Sequence, residues 1–141
     1  IPMEEETTVK QVMTDGVIAI EKDASIMEAA KLLREQGIRG LVVIDEGDAV
    51  GIIVCRDIVY SVVSKKRDPK GTKVEDIMSE DLIVAEESER LDDIAMAMIE
   101  NDVSRIPVVR GEMLVGILTQ SDVLRAWPGF AEVMQKEEVE E

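Results

Sequence analysis

The side chains able to do chemistry are unevenly represented in this sequence: 31 carboxylates stand beside no histidine and a single cysteine, Cys55. Without histidine there is no ordinary side chain poised to exchange a proton near neutrality, and zinc binding and triad catalysis both lose their commonest parts. Cys55 has no imidazole to activate it and reads as a packed free thiol, and with no second cysteine no intrachain disulfide can form. Asp92-Asp93 reads as charge at the positive end of a helix rather than as an acid/base pair. The eight methionines fall mostly on apolar faces, which suits a core or a dimer surface better than a metal. What remains is binding chemistry. Arg39, Arg56 and Arg105 carry guanidinium forks that suit phosphate oxygens, with solvation or pairing to carboxylates as the plain alternative. Thr119, Ser121 and Asp122 gather hydroxyls and a carboxylate at the start of a helix, and Asp57 occupies the matching place earlier in the chain. Taken alone, that spacing is a helix cap.

These groups sit in a chain of 141 residues with 45% apolar content, enough for one folded domain. A net charge of −15 repels phosphate backbones and anionic lipid, so neither nucleic acid nor membrane is an expected partner. No apolar run is long enough to span a bilayer, and the start lacks the basic flank and apolar stretch of a signal peptide, so a cytoplasmic protein is expected. The charge is uneven. Glu4–Glu6 and Met134–Glu141 are acidic, whereas Lys65, Lys66, Arg67, Lys70 and Lys73 form a basic stretch that leaves room for a local anion site.

The elements that must position these residues come twice. Shifted by 65 residues, the chain superimposes on itself without a gap. Val9 falls on Val74, Met13 on Met78, Ile18 on Ile83, Val50-Gly51-Ile52 on Val115-Gly116-Ile117, and Asp57 on Asp122. Each copy predicts a first strand (Gly16–Ile20, Asp81–Ala85) and then an amphipathic helix. One helix carries Ile26, Ala29, Ala30, Leu33 and Gly37 on its face, the other Leu91, Ile94, Ala95 and Met98. Ser25 with Glu28 forms a capping box at the first helix start. A hairpin follows in each copy, turning at Asp45–Asp48 or Arg110–Glu112, and a last helix begins near Arg56 or Ser121. Pro107, lacking an amide donor, belongs at a strand start or edge. Trp127-Pro128-Gly129 breaks the final helix, with a further short helix over Phe130–Gln135. The sequence therefore predicts an α+β fold of two tandem β-α-β-β-α repeats packed through their sheets with pseudo-two-fold symmetry. Equivalent clefts are expected where the copies meet, a setting that favours ligands.

The run Val103-Ser104-Arg105-Ile106-Pro107-Val108-Val109, followed by Val115-Gly116-Ile117-Leu118-Thr119-Gln120-Ser121-Asp122-Val123, resembles the signature of a CBS domain. Ile38–Ile44 with Val50–Ile58 is a weaker version of it. Together the copies resemble a CBS pair, or Bateman module, with repeats at 9–64 and 74–127 and acidic tails or a short terminal helix at 1–8 and 128–141. The resemblance implies a regulatory module, not an enzyme, that requires no cofactor and binds AMP, ADP, ATP or S-adenosylmethionine in its clefts. Pairing into a homodimer and an unidentified client protein are further implications. In the family pattern Gly-x-x-Thr-x-x-Asp, matched by Gly116, Thr119 and Asp122, the carboxylate takes the ribose hydroxyls while the threonine and nearby amides hold phosphate. Asp57 is the equivalent carboxylate. Val54 replaces the threonine there, and Arg56 is the residue that could restore phosphate affinity. Arg39 and Arg105 are implied as phosphate contacts, and Ile18, Ile83, Ile106 and Pro107 as walls around adenine. The second copy is thus expected to be the better equipped. The alternative is a structural homodimerisation module with empty clefts.

Overall fold

The computed structural model describes the backbone of residues 7–140 and the side chains of residues 7–136, so the outermost parts of the expected acidic tails lie outside the described residues. The chain divides into two compact units, and the division does not follow the repeat. One unit is Ile18–Leu82, and the other joins the residues up to Val17 to those from Ile83 onward.

The leading segment contributes α1 (Val9–Val12) and β1 (Thr14–Asp15) to the second of these units. The Ile18–Leu82 unit then runs β2 (Ala19–Glu21), α2 (Ile26–Gln36), β3 (Gly40–Asp45), β4 (Asp48–Val54) and α3 (Cys55–Ile58), which continues as a π-helical turn over Val59–Val63. A 3-10 turn at Val74–Asp76 closes it. Its sheet has the order β2-β3-β4, with β2 parallel to β3 and β3 antiparallel to β4.

Local chemistry accounts for these bounds. The Glu28 amide donates to Ser25 Oγ at 3.1 Å and the Ser25 amide to the Glu28 carboxylate at 3.3 Å, the expected capping box at the start of α2. Gly37, expected on the helix face, instead ends the helix. Its φ of 64° is left-handed, and its amide turns back to the carbonyls of Arg34 and Leu33. The β3–β4 turn places Glu46 and Gly47 at φ of 50° and 87°, the pair of positive values that a tight two-residue hairpin needs. Ile26, Ala29 and Leu33 of α2 pack with Ile20, Leu41, Val43, Ile53, Val62 and Val74 into one core. Each large aliphatic buried there contributes about 1.5–3 kcal/mol.

The other unit repeats the plan with β5 (Ala85–Glu86), α4 (Leu91–Glu100), β6 (Arg105–Arg110), β7 (Met113–Thr119) and α5 (Gln120–Ala126), followed by α6 (Phe130–Glu140). Its sheet has the order β1-β7-β6-β5. The two hairpins share one register, Gly40 opposite Val54 and Arg105 opposite Thr119, and each has an irregularity after its middle valine, Val43 or Val108.

The first strands are shorter and later than expected, at Ala19–Glu21 and Ala85–Glu86, because each is an edge strand held by one parallel neighbour over two or three residues. Gly16, placed in the first of them by its neighbours, sits at φ of 71° and turns the chain instead. Pro107 lies inside β6, but β5 pairs only with Val108 and Val109, so one flank of Pro107 is an edge. Phe130 begins a helix longer than the expected Phe130–Gln135, and its ring is completely buried.

The leading segments explain why units and repeats differ. Thr14 and Asp15 pair antiparallel with Ile117 and Gly116 of β7, while Ser79 bridges Ile52 of β4. Each approach passes over a glycine. A Cβ on Gly116 would lie 2.6 Å from Met13 Sδ and 2.9 Å from the Thr14 carbonyl, and one on Gly51 would lie 2.6 Å from Met78 Sδ and 2.7 Å from the Ser79 carbonyl. The repeated Met and Gly are thus two halves of one contact, made twice.

Candidate functional site

The residues singled out in the sequence fall into two sets, one in each unit. In the unit containing β7, the strand ends at Thr119 and α5 starts at once. The Asp122 amide donates to Thr119 Oγ1 at 3.2 Å, and the Thr119 amide donates to Asp122 Oδ2 at 2.9 Å. The cap reading of this pair therefore holds, but it uses only one carboxylate oxygen. Oδ1 accepts from the Thr14 hydroxyl at 3.2 Å and from the Arg125 guanidinium, which forms an ion pair with it. Asp122 is 3% exposed, whereas the Arg125 side chain is 72% exposed. A buried carboxylate is thus held in one orientation by a backbone amide, with one oxygen turned toward groups that can move.

Arg105 opens β6 directly opposite Thr119, and the Gln120 amide donates to the Ser104 carbonyl at 3.0 Å, so the start of β6 and the start of α5 are tied together. Ile83 is half-buried against the core of this unit. Ile106 is wholly buried within that core, and its side chain therefore serves packing rather than forming a wall open to a ligand. Pro107 is buried on the same strand.

The equivalent set in the Ile18–Leu82 unit is sparser. The Val54 amide donates to Asp57 Oδ2 at 2.9 Å, reproducing half of the capping box, and Val54 has no hydroxyl to supply the other half. Asp57 is half-buried, and Arg56 beside it on α3 is exposed. At the place of Arg125 this unit has Tyr60, and at the place of Thr14 it has Ser79. Neither makes a hydrogen bond with Asp57 among the described residues, so the Asp57 carboxylate keeps more open acceptor capacity than Asp122. Arg39 is exposed just before β3, and its carbonyl accepts from the Cys55 amide at 2.9 Å. Ile18 is half-buried against the core of this unit.

The structure thus brings Thr119, Asp122 and Arg105 to one strand-helix junction and Val54, Asp57, Arg56 and Arg39 to another. Thr14 and Arg125 were not singled out from the sequence. Arg125 stands one helical turn after Asp122 and was findable by that spacing. Thr14 is 108 residues away and was not.

An open hollow of about 530 Å³ elsewhere in the Ile18–Leu82 unit is lined by Asp45, Glu75, Asp76 and Glu80 with Lys22 as its cation. Lys22 is held above its ordinary pKa by the hydrogen bond its ammonium donates to Asp45 and by the charges of Asp45 and Glu75. With four carboxylates to one ammonium this hollow repels phosphate. No group of three or more metal-ligating side chains is found among the described residues, and none of their helices is long and apolar enough to cross a membrane.

The sequence profile of the CBS domain matches residues 9–64 and 74–129. The chain is 32% identical to the uncharacterised protein MK0525 of Methanopyrus kandleri, over 92% of this chain and 67% of that protein. It is 36% identical to the L-aspartate semialdehyde sulfurtransferase of Methanocaldococcus jannaschii over 87% of this chain, yet spans only 24% of that enzyme. The crystal structure of the CBS domain pair of protein MJ0100, in complex with 5′-methylthioadenosine and S-adenosyl-L-methionine, matches with a TM-score of 0.78 at 35% identity, covering 91% of this chain and 98% of that one. CBS pairs are regulatory modules, and one of the two strand-helix junctions described above falls in each matched region. The chain belongs to the CBS-domain family and carries two CBS domains in tandem.

Proposed function

We propose that this chain is a non-catalytic, cytoplasmic regulatory module whose two strand-helix junctions each bind an adenosine-containing ligand, AMP, ADP, ATP or S-adenosylmethionine, and pass its presence to a client protein. The observation that carries this reading is the Asp122 carboxylate. A ribose diol needs an acceptor whose two oxygens are fixed in space, and the Thr119 amide fixes this one while Oδ1 faces exchangeable partners. The MJ0100 pair, at 35% identity, was crystallised with two adenosine derivatives. Thr119 and the amides at the start of α5 are placed for phosphate or another anionic group, with Arg105 opposite. Around Asp57 the same scaffold lacks the threonine but has Arg56 and Arg39 nearby. Ile18, Ile83 and Pro107 are the proposed apolar neighbours of the adenine ring. A ligand acts only through unequal affinity for two conformations, so the signal is a shift between them. Two modules pairing as a homodimer belong to the same reading.

Calorimetry with AMP, ADP, ATP, S-adenosylmethionine and 5′-methylthioadenosine, on the native chain and on Asp122→Asn and Asp57→Asn, tests it. The expected result is saturable heat from at least one ligand, with one class of site lost in each variant. Absence of heat from every ligand overturns the proposal. A second reading, a structural homodimerisation module with empty clefts, is favoured by one observation: the Asp122 oxygens already have protein partners in Thr119, Thr14 and Arg125.

A further inference from the structure

A carboxylate offers about four lone-pair positions, and a ribose diol needs one for each of its hydroxyls. The two junctions differ sharply in how many of these positions the protein itself takes. At Asp122, Oδ2 accepts from the Thr119 amide at 2.9 Å, the Thr14 hydroxyl stands 3.2 Å from Oδ1 and 3.4 Å from Oδ2, and Arg125 pairs with Oδ1. Its acceptor positions are all engaged. Asp57 accepts one hydrogen bond among the described residues, from the Val54 amide to Oδ2 at 2.9 Å. Ser79 and Tyr60, which stand at the places of Thr14 and Arg125, are both exposed and neither bonds to it.

The groups on Asp122 are built in by the fold. β1 pairs Thr14 with Ile117 and Asp15 with Gly116, which fixes the backbone that carries the Thr14 hydroxyl. Arg125 follows Asp122 by one turn of α5, the spacing at which helical side chains meet. Because the Asp122 side chain is 2% exposed, a ligand that takes over its oxygens must first draw a cation away from a desolvated anion. Asp57 is half-buried, and no ion pair among the described residues involves it. A diol arriving there displaces no protein group.

We propose that the two junctions fill in a fixed order: the Asp57 junction is the primary ribose site, and Thr14 and Arg125 gate the Asp122 junction, which opens only at higher ligand concentration. The proposal rests on the adenosine reading given above and adds an order to it. The complete Gly-x-x-Thr-x-x-Asp motif thus marks the gated site, and the junction that lost its threonine is the open one. Sites that fill at different concentrations let one module report low and high ligand separately.

The probe is 5′-methylthioadenosine, which carries the diol but no phosphate, so the missing hydroxyl at Val54 and the arginines near each junction drop out of the comparison. The amides of Val54 and Thr119 each donate to the carboxylate of their own junction and serve as its reporters. Nuclear magnetic resonance on the isotope-labelled native chain follows both in one titration. The Val54 amide should reach half-saturation at about fivefold lower ligand than the Thr119 amide. In the double variant Thr14→Ala, Arg125→Ala, the Thr119 midpoint should fall to within about twofold of the Val54 midpoint, with the Val54 curve unmoved. A Thr119 midpoint equal to or below that of Val54 in the native chain overturns the proposal, as does a gap that persists in the double variant. Should a thermal melt show the variant unfolded, the order in the native chain decides alone. If neither amide moves with this ligand or with AMP, ADP, ATP or S-adenosylmethionine, the adenosine reading is lost and the order with it, whereas a reversed order removes the gate and leaves that reading standing.

Discussion

Asp122 performs two tasks with two oxygens, and the partners differ in how firmly they hold. The amide of Thr119 is part of the backbone, while the Arg125 guanidinium hangs on an exposed side chain and the Thr14 hydroxyl rotates freely. A ligand diol arriving at Oδ1 must displace one or both. Arg125 is thus a built-in competitor, and because the carboxylate it pairs with is only 2% exposed, the pair contributes more than the ~0–1 kcal/mol of a pair exposed at both ends. Arg125→Ala should lower the melting temperature, because a buried carboxylate loses its cation, and tighten binding of uncharged 5′-methylthioadenosine by up to about fivefold, measured by calorimetry. If methylthioadenosine instead binds more weakly to the variant, Arg125 is a ligand contact and the competition does not exist. The residue scale is also where the sequence was least complete. Thr119 and Asp122 were visible because their spacing is a local helix-start pattern, and the loss at Val54 was visible because the repeat supplied its counterpart. Thr14 was hidden, since nothing local to it points to a carboxylate 108 residues away. The second copy has the fuller set of residue types, and the structure adds that its carboxylate is also the more occupied one.

At the scale of elements, position is set by close approach. Both methionine–glycine contacts put backbone carbonyls within 2.9 Å of where a Cβ would be, and a carbonyl fixed in a β-bridge cannot swing aside as a side chain can. Gly116→Ala should therefore destabilise by about 1–3 kcal/mol. Because it pushes on Thr14, it should also alter ligand affinity at Asp122, whereas Gly51→Ala should destabilise similarly without touching that site. Denaturant unfolding with parallel calorimetry separates the two, and equal effects on Asp122-site affinity would sink the argument. The ends of the sheet offer a pH test. Arg110 hydrogen-bonds Glu87 at 2.5 Å and holds its carboxyl below the usual 4.5, tying the segment after β5 to the hairpin. A lowered folded pKa means that the stabilisation is fully present above the unfolded value and fades as pH falls through the folded one. The melting temperature of Arg110→Gln should thus sit below that of the native chain at neutral pH and converge with it on acidification beneath 4.5. Helix ends were legible where a cap announces them, as at Ser25. The first strands were read too early because apolar β-rich residues such as Ile18 and Ile83 pack against the cores without joining a ladder.

The whole molecule is organised by a choice that the sequence leaves open. Val9 and Met13 open the first repeat, Val74 and Met78 open the second, and the residues at the two places are identical, as are Gly51 and Gly116, which receive them. Either leading segment therefore fits either hairpin by pattern alone, so the repeat was readable while the partner of each segment was not. In the structure the leading segment of each repeat packs with the rest of the other repeat, which places Val74 at 0% exposure in the core of Ile18–Leu82 and Val9 at 0% in the core of the other unit. This has a direct test in fragments. Residues 18–82 contain a whole unit, whereas 9–64 contain a whole repeat but lack Val74, Met78 and the Ser79 bridge to Ile52, leaving an apolar site empty and β4 uncovered. Losing a fully buried valine and a methionine contact withdraws about 2–5 kcal/mol from a unit that, at this size, has little stability to spare. The 18–82 fragment should show a cooperative thermal transition by circular dichroism, and 9–64, though built on the repeat boundaries, should not. A cooperative transition in 9–64 with none in 18–82 would mean that each repeat folds with its own leading segment, and the exchanged pairing would have to be abandoned.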